Sequence, residues 1–144
     1  MATIERKATA RWQGDLKSGK GSLTLPSGVF EDQRYSFHTR FGDEKGTNPE
    51  ELLGAAHAGC FTMALAKLLG EAGHTAERLE TVAVVSMSMG DGPPTISGIE
   101  LQLRATVPGI TREAFEKLAQ VAKAGCVISR ALSVPVSLDA RLED

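Results

Sequence analysis

The chain has 144 residues, of which 42% are apolar and 24% charged. That length predicts one domain with one core, able to bury roughly 68–70% of the unfolded surface, and the composition excludes wholesale disorder. A balance of 16 basic against 18 acidic side chains leaves a formal charge of −2, which gives no footprint for nucleic acid or an anionic membrane, and two cysteines are too few for a disulfide-stapled secreted scaffold.

The first residues, Met1 to Lys7, lack the apolar stretch of a signal peptide, so a cytoplasmic location is expected. Ile4, Ala8, Ala10 and Trp12 then share one phase of a period-two pattern. Shorter strands are predicted around Leu23-Thr24-Leu25 and Tyr35-Ser36-Phe37, with turns at Gly14-Asp15, Gly19-Lys20-Gly21 and Pro26-Ser27-Gly28. A helix opens at Thr47-Asn48-Pro49-Glu50-Glu51: an Asn cap, Pro at the first helical position and carboxylates in the first turn. It runs to about Glu71, where Gly70 and Gly73 end it. Its apolar stretch, Leu52 to Leu69, is interrupted by His57, Thr62 and Lys67, the mark of a buried helix rather than a membrane span. Being apolar nearly all round, it needs cover on most sides, and a dimer that sandwiches it would provide that.

Two strands follow, from about Thr81 to Met89 and from Ile96 to Val107, joined by Asp91-Gly92-Pro93-Pro94. In the second, Ile99, Leu101, Leu103 and Ala105 point inward and Glu100, Gln102 and Arg104 outward. Thr111 caps a second helix, with Ile110 and Phe115 at staple spacing and a stripe of Phe115, Leu118, Ala119 and Ala122. Gly125 stops it before Cys126, and Val127-Ile128-Ser129 begins another short turn. A last strand places Val134, Val136, Leu138 and Leu142 on one face, with Pro135 near its start. The layout is an α+β domain over residues 1–144.

Gly14-Asp15-Leu16-Lys17-Ser18-Gly19-Lys20-Gly21 fits the glycine and lysine spacing of a phosphate-binding loop. It has Gly21 where magnesium needs Ser or Thr, and a strand follows where a helix is required, so it reads as a hairpin turn. His38, His57 and His74 are scattered, and His57 alone lies near a cysteine, so a third zinc ligand is missing. His57 and Cys60 at helical spacing allow a nucleophile–base pair, while the plain reading of His57 is a core histidine bonded to a backbone carbonyl. Cys60 among alanines reads as a small buried hydrophobe or as an accessible thiol. Cys126, just past a helix end, reads as a packing cysteine or as a thiol activated at the start of a turn.

The run Thr39-Arg40-Phe41, followed by Gly46-Thr47-Asn48-Pro49-Glu50-Glu51-Leu52-Leu53-Gly54-Ala55-Ala56-His57-Ala58-Gly59-Cys60-Phe61, strongly resembles the OsmC/Ohr family of osmotically inducible and organic hydroperoxide resistance proteins. The longer N-terminal region, Ala10-Arg11-Trp12 through Gly28, matches the OsmC branch. The likeness continues through Val107-Pro108-Gly109-Ile110 and Lys123-Ala124-Gly125-Cys126. Many relatives carry proline after the second cysteine, where this chain has Val127. The resemblance implies an OsmC-like fold, antiparallel-rich sheets around a buried central helix, and an intertwined homodimer with shared active sites. It also implies a thiol peroxidase that reduces organic hydroperoxides and, more weakly, hydrogen peroxide. Cys60 matches the peroxidatic cysteine, Cys126 the resolving cysteine, and Arg40 and Glu50 the residues that complete the site. No bound cofactor or metal is implied; the reductant is an external dithiol, a lipoyl dithiol or lipoylated protein in the organic hydroperoxide resistance branch. Neither nucleic acid nor membrane is an expected partner.

The residue types suit that chemistry. A thiolate is the nucleophile, a guanidinium lowers its pKa and binds peroxide oxygens, and a carboxylate orients the guanidinium. Glu50 and Cys60, ten residues apart on one helix, are separated by about 15 Å along its axis. If both serve one site, either the glutamate comes from a partner chain or the helix breaks between them. Two other readings remain: a non-catalytic dimeric module that sequesters lipid-like molecules, and a Cys60–His57 thiol hydrolase.

Overall fold

A computed structural model describes residues 2–143, which fall into two units, Met1–Leu52 and Leu53–Asp144. In the first, strands β1 (Thr9–Gln13), β2 (Lys20–Thr24) and β3 (Gln33–Tyr35) form an antiparallel sheet in that order. The phosphate-loop lookalike is the β1–β2 connection, where the Asp15 carboxylate accepts from the Ser18 amide and hydroxyl. Gly21 lies in β2, not in the turn. It is the partner of both Trp12 and Tyr35, whose rings meet edge-on at 5.7 Å across it. A Cβ at Gly21 would come within 2.7 Å of both rings, so only glycine lets them close over the strand.

The chain departs from period two at Ser36. The strand predicted through Phe37 stops at Tyr35, and Phe37–Phe41 forms a short helix, α1. The Ser36 hydroxyl accepts from the Thr39 amide at 3.1 Å and the Thr39 hydroxyl accepts from the Ser36 amide at 2.8 Å. This reciprocal cap satisfies two end donors and favours helix over strand.

Helix α2 (Pro49–Glu71) begins as its sequence predicts. Asn48 Oδ1 accepts from the Glu51 amide at 2.8 Å, and Asn48 Nδ2 donates to the Thr39 carbonyl at 3.1 Å, tying α1 to the first turn of α2. The helix passes Gly70 and ends at Glu71, and Gly73, whose φ of 85° suits glycine, turns the chain away. His74 N–H reaches Leu69 C=O and Gly73 N–H reaches Gly70 C=O, the paired bonds of a glycine-terminated helix.

In the second unit, β4 (Arg78–Ser88) pairs antiparallel with β5 (Thr95–Thr106), and β6 (Val136–Glu143) pairs parallel with β5, which is therefore central. A parallel pair needs a long crossover; α3 (Arg112–Gly125) and α4 (Val127–Ala131) supply it. Thr111 caps α3 through the Ala114 amide. Ile99, Leu101, Leu103 and Ala105 of β5 are buried as their alternation predicts. They share one core with Phe61, Leu65 and Leu69 of α2 and Phe115, Ala119 and Ala122 of α3.

The all-round cover expected for α2 is not supplied by the chain's own residues. Gly54, His57, Phe61, Leu65 and Leu69 make one buried stripe, while Ala55, Ala56, Gly59 and Ala66 are exposed and Met63 is 76% exposed. By length and hydropathy α2 would also suffice to cross a membrane, yet its buried stripe is the core of this unit.

Candidate active site

The two cysteines meet. Cys60 lies half-buried on α2, and Cys126 is buried at the junction of α3 and α4, where it closes one helix and opens the other. Its amide donates to Ala122 C=O at 2.9 Å, and its carbonyl accepts from the Arg130 amide at 3.0 Å. In this turn the amides of Val127, Ile128 and Ser129 favour the ionised thiols, Val127 and Ile128 acting on Cys60 and Ile128 and Ser129 on Cys126. Both thiols are free, and each acts on the acidity of the other.

The pair divides its acidity unequally. Burial raises the Cys60 thiol, and so does donating its proton to Cys126, against the pull of the two amides. Burial also opposes ionisation of Cys126, but the Ser129 amide, the Cys60 thiol, the Ser129 hydroxyl and the Ile128 amide together hold its pKa below that of an ordinary thiol. Within the single chain Cys126 is thus the more readily ionised of the two thiols.

Arg40 and Glu50 form the second pair, within the first unit. Arg40 Nε and Nη2 each donate to one Glu50 oxygen at 2.9 Å, a two-pronged ion pair. Arg40 stands on α1 rather than on a strand. The Asn48 tie to Thr39 sets α1 beside Glu50, so the cap of one helix positions the arginine of the other. The bond to Glu50 raises the Arg40 pKa despite partial burial. Arg40 Nη1 has no protein partner among the described residues, and the guanidinium carbon lies 5.1 Å from the centre of the Phe41 ring. Trp12, Leu16, Tyr35, Ser36, Phe37, Arg40 and Phe41 line a pocket of about 320 Å³. Between Glu50 and Cys60, α2 is unbroken, so the option of a helix break is removed.

His57 is wholly buried, but its partner is not a backbone carbonyl: Nε2 lies 2.7 Å from Ser129 Oγ. Among the described residues no hydrogen bond joins the imidazole to Cys60. Nδ1 has no hydrogen-bond partner among the described residues. Sequence reading missed Ser129, although its place three residues after Cys126 is the spacing of a cap-side contact. His38 is exposed on α1 and His74 follows the end of α2, so the three histidines stay apart.

Burial lowers the His57 pKa from 6.5. Between that lowered value and about 6.5 the unfolded chain binds a proton that the folded chain refuses. The contribution of His57 is therefore complete above about pH 6.5 and falls away as pH drops, by at most about 1.4 kcal/mol per pH unit. Thermal unfolding of His57→Gln between pH 7.5 and 5 is expected to show a shallower acid loss than the unsubstituted chain.

A family model described as OsmC-like protein matches residues 42–140. Peroxiredoxin OsmC of Escherichia coli (strain K12) is 49% identical over 141 residues, covering 98% of this chain and 99% of its own. Among solved structures, an OsmC-like protein of unknown function from Vibrio cholerae superposes with a TM-score of 0.78 at 17% identity, covering 96% of this chain and 99% of its own, a likeness of fold. The organic hydroperoxide resistance protein OhrB of Bacillus subtilis superposes with a TM-score of 0.67 at 25% identity, covering 95% and 98%. With its α+β fold, its two neighbouring thiols and a relative matched end to end, the chain belongs to the OsmC-like family.

Proposed function

We propose that this chain is a two-cysteine peroxidase for organic hydroperoxides, working as a homodimer in which Arg40 and Glu50 of one subunit complete the thiol site of the other. The observation that carries it is the Cys60–Cys126 pair, two free thiols packed into one cluster and each shifting the other's acidity. The peroxiredoxin matched over almost the whole chain supports the peroxide chemistry. The unbroken α2 supports the dimer, since Glu50 stands about 15 Å along the axis from its own Cys60.

The cycle follows from the groups present. Arg40 arrives with its orientation set by Glu50 and with Nη1 free for peroxide oxygens. Its positive charge moves the shared negative charge from Cys126 to Cys60. The Cys60 thiolate attacks one peroxide oxygen; an S–O bond forms, the O–O bond breaks, and the departing alkoxide takes a proton to become alcohol. Cys126 then attacks the sulfenic sulfur. The S–S bond forms, the S–O bond breaks, and hydroxide leaves as water once protonated. An external dithiol, of which a lipoyl dithiol is the favoured class, restores both thiols by exchange. The aromatic pocket beside Arg40 suits an apolar hydroperoxide better than hydrogen peroxide.

The test is one equivalent of cumene hydroperoxide added to the reduced protein. Loss of two thiols per chain, with a tryptic peptide joining Cys60 to Cys126, is the expected result. Unchanged thiols in the folded, reduced protein would overturn the reading in favour of a binding module or a hydrolase.

A further inference from the structure

We propose that His57 and Ser129 are a positioning pair for the resolving step: their hydrogen bond clamps α4 to α2 and so holds Cys126 in register with Cys60. The oxidant that the clamped thiols serve rests on the two-cysteine reading above; the clamp itself does not. His57 Nε2 lies 2.7 Å from Ser129 Oγ, and the imidazole is wholly buried. On α2, His57 precedes Cys60 by three residues, and beyond the α3–α4 junction Ser129 follows Cys126 by three. Side chains three apart on a helix are neighbours on one face. Stepping back along α2 matches stepping forward along α4, as two segments running in opposite directions require. The bond is therefore a rung about one helical turn from the two sulfurs, joining the same two segments.

The short helix needs such a clamp. α4 has five residues, none of them fully buried, and Cys126 at its start makes no side-chain cap bond. A helix of that length is not stable on its own. Ile128 and Leu132 rest against the core, but apolar contacts are non-directional and fix no register. Among the described residues, the bond to His57 is the one hydrogen bond that a side chain of α4 makes to another element.

Packing does not account for a histidine at this place. Position 57 belongs to the buried stripe of Gly54, Phe61, Leu65 and Leu69, where an apolar side chain would fill the space. The imidazole leaves Nδ1 buried without a hydrogen-bond partner among the described residues, a cost that an apolar residue avoids. What the ring adds is one directional bond to α4. Burial disfavours its charged form, so the neutral imidazole holds Ser129 and carries no proton in the reaction.

The clamp acts on the second step of the cycle. Cys126 gives up its proton and attacks the Cys60 sulfenic sulfur; the S–S bond forms, the S–O bond breaks, and the hydroxide released takes up a proton to become water. A disulfide needs its β-carbons about 3.5–4.5 Å apart. A misplacement of about 1 Å costs a reaction of this kind on the order of a hundredfold, which sets the scale of the effect. The first oxidation needs no attack by Cys126 and should change far less.

Two measurements test this. In single-turnover mixing with cumene hydroperoxide, Ser129→Ala should form the Cys60 sulfenic acid near the unsubstituted rate and then close the disulfide about ten- to a hundredfold more slowly. Ser129→Thr, which keeps the hydroxyl, should restore closure. His57→Leu should reproduce the loss, and the double variant should be no slower than the slower single one, since both remove the same bond. Ser129→Ala deletes one half-buried oxygen and keeps the proposal testable should His57→Leu fold badly. Equilibration with dithiothreitol, which needs no peroxide, should find the Cys60–Cys126 disulfide of Ser129→Ala about tenfold easier to reduce, a potential about 30 mV less negative. Equal slowing of both steps, additive losses in the double variant, or an unchanged closure rate and potential would each overturn the proposal. If the potential shifts while no hydroperoxide oxidises the unsubstituted chain, the clamp stands and the two-cysteine peroxidase reading falls.

Discussion

Cys60→Ser is expected to consume no hydroperoxide above the uncatalysed rate, whereas Cys126→Ser is expected to consume one equivalent per chain and then stop. The reason is the order of the two sulfurs in the cycle: attack on the O–O bond needs Cys60, and only the return to the starting state needs Cys126. Loss of the nucleophile should lower turnover on the order of 10³–10⁶, the scale seen when an activated nucleophile is removed. Loss of the resolving thiol should instead leave the first oxidation fast and expose Cys60 to sulfinic acid, visible as a gain of two oxygens by mass spectrometry. Single-turnover peroxide consumption and the mass of the oxidised protein decide between the two patterns. Equal residual activity in the two variants would overturn the roles assigned here. The comparison has a particular edge in this chain, because the thiol acidities of the single chain favour charge on Cys126. If the charge stayed there, Cys126 would be the sulfur that peroxide oxidises first.

Mixing two inactive variants tests where the charge goes. Arg40→Ala subunits keep both thiols but lack the guanidinium, and Cys60→Ser subunits keep the guanidinium but lack the nucleophile. Each homodimer is expected to be inactive, the first by about 10²–10³ in the oxidation step, the range for removing one preorganised charged donor. Re-associated together, half of the dimers are mixed, and one of the two sites in each mixed dimer regains both groups. Activity is therefore expected to return to about one quarter of the unsubstituted level, as two-fold symmetry requires. A mixture no more active than its components would place Arg40 in the service of its own chain. Glu50→Gln should reproduce part of the Arg40 loss, because the amide offers a single acceptor oxygen to a guanidinium now held at both Nε and Nη2.

Much of this site was legible residue by residue. The Asn48-Pro49-Glu50 start and the Gly73 stop define α2, because caps act through local backbone groups and need no distant partner. The alternation of β5 is equally local, and Ile99, Leu101, Leu103 and Ala105 are buried as it requires. Phe37 was misread because the apolar spacing Tyr35–Phe37 fits a strand, while the Ser36–Thr39 cap, also present in the sequence, outweighs it. Gly21 was misread as a turn because glycine is ambiguous alone; only the registration of Trp12 and Tyr35 across it gives its reason. The parallel placing of β6 beside β5 was not legible at all, since the pattern of one strand carries no direction for its neighbour.

The thiol chemistry divides along the same line. Arg40, Glu50 and Cys60 in one motif-like run, with Cys126 further on, are properties of the chain order, and the family resemblance rests on that order alone. What order could not convey is which groups touch. Ser129 stands 72 residues from His57, and the meeting of Cys60 with Cys126 spans 66, so both contacts exist only because the crossover through α3 and α4 returns the chain to α2. The acidity of each sulfur depends on that return as well. It is set by burial and by amide and hydroxyl donors within hydrogen-bond reach, quantities that belong to the folded arrangement and not to any residue alone.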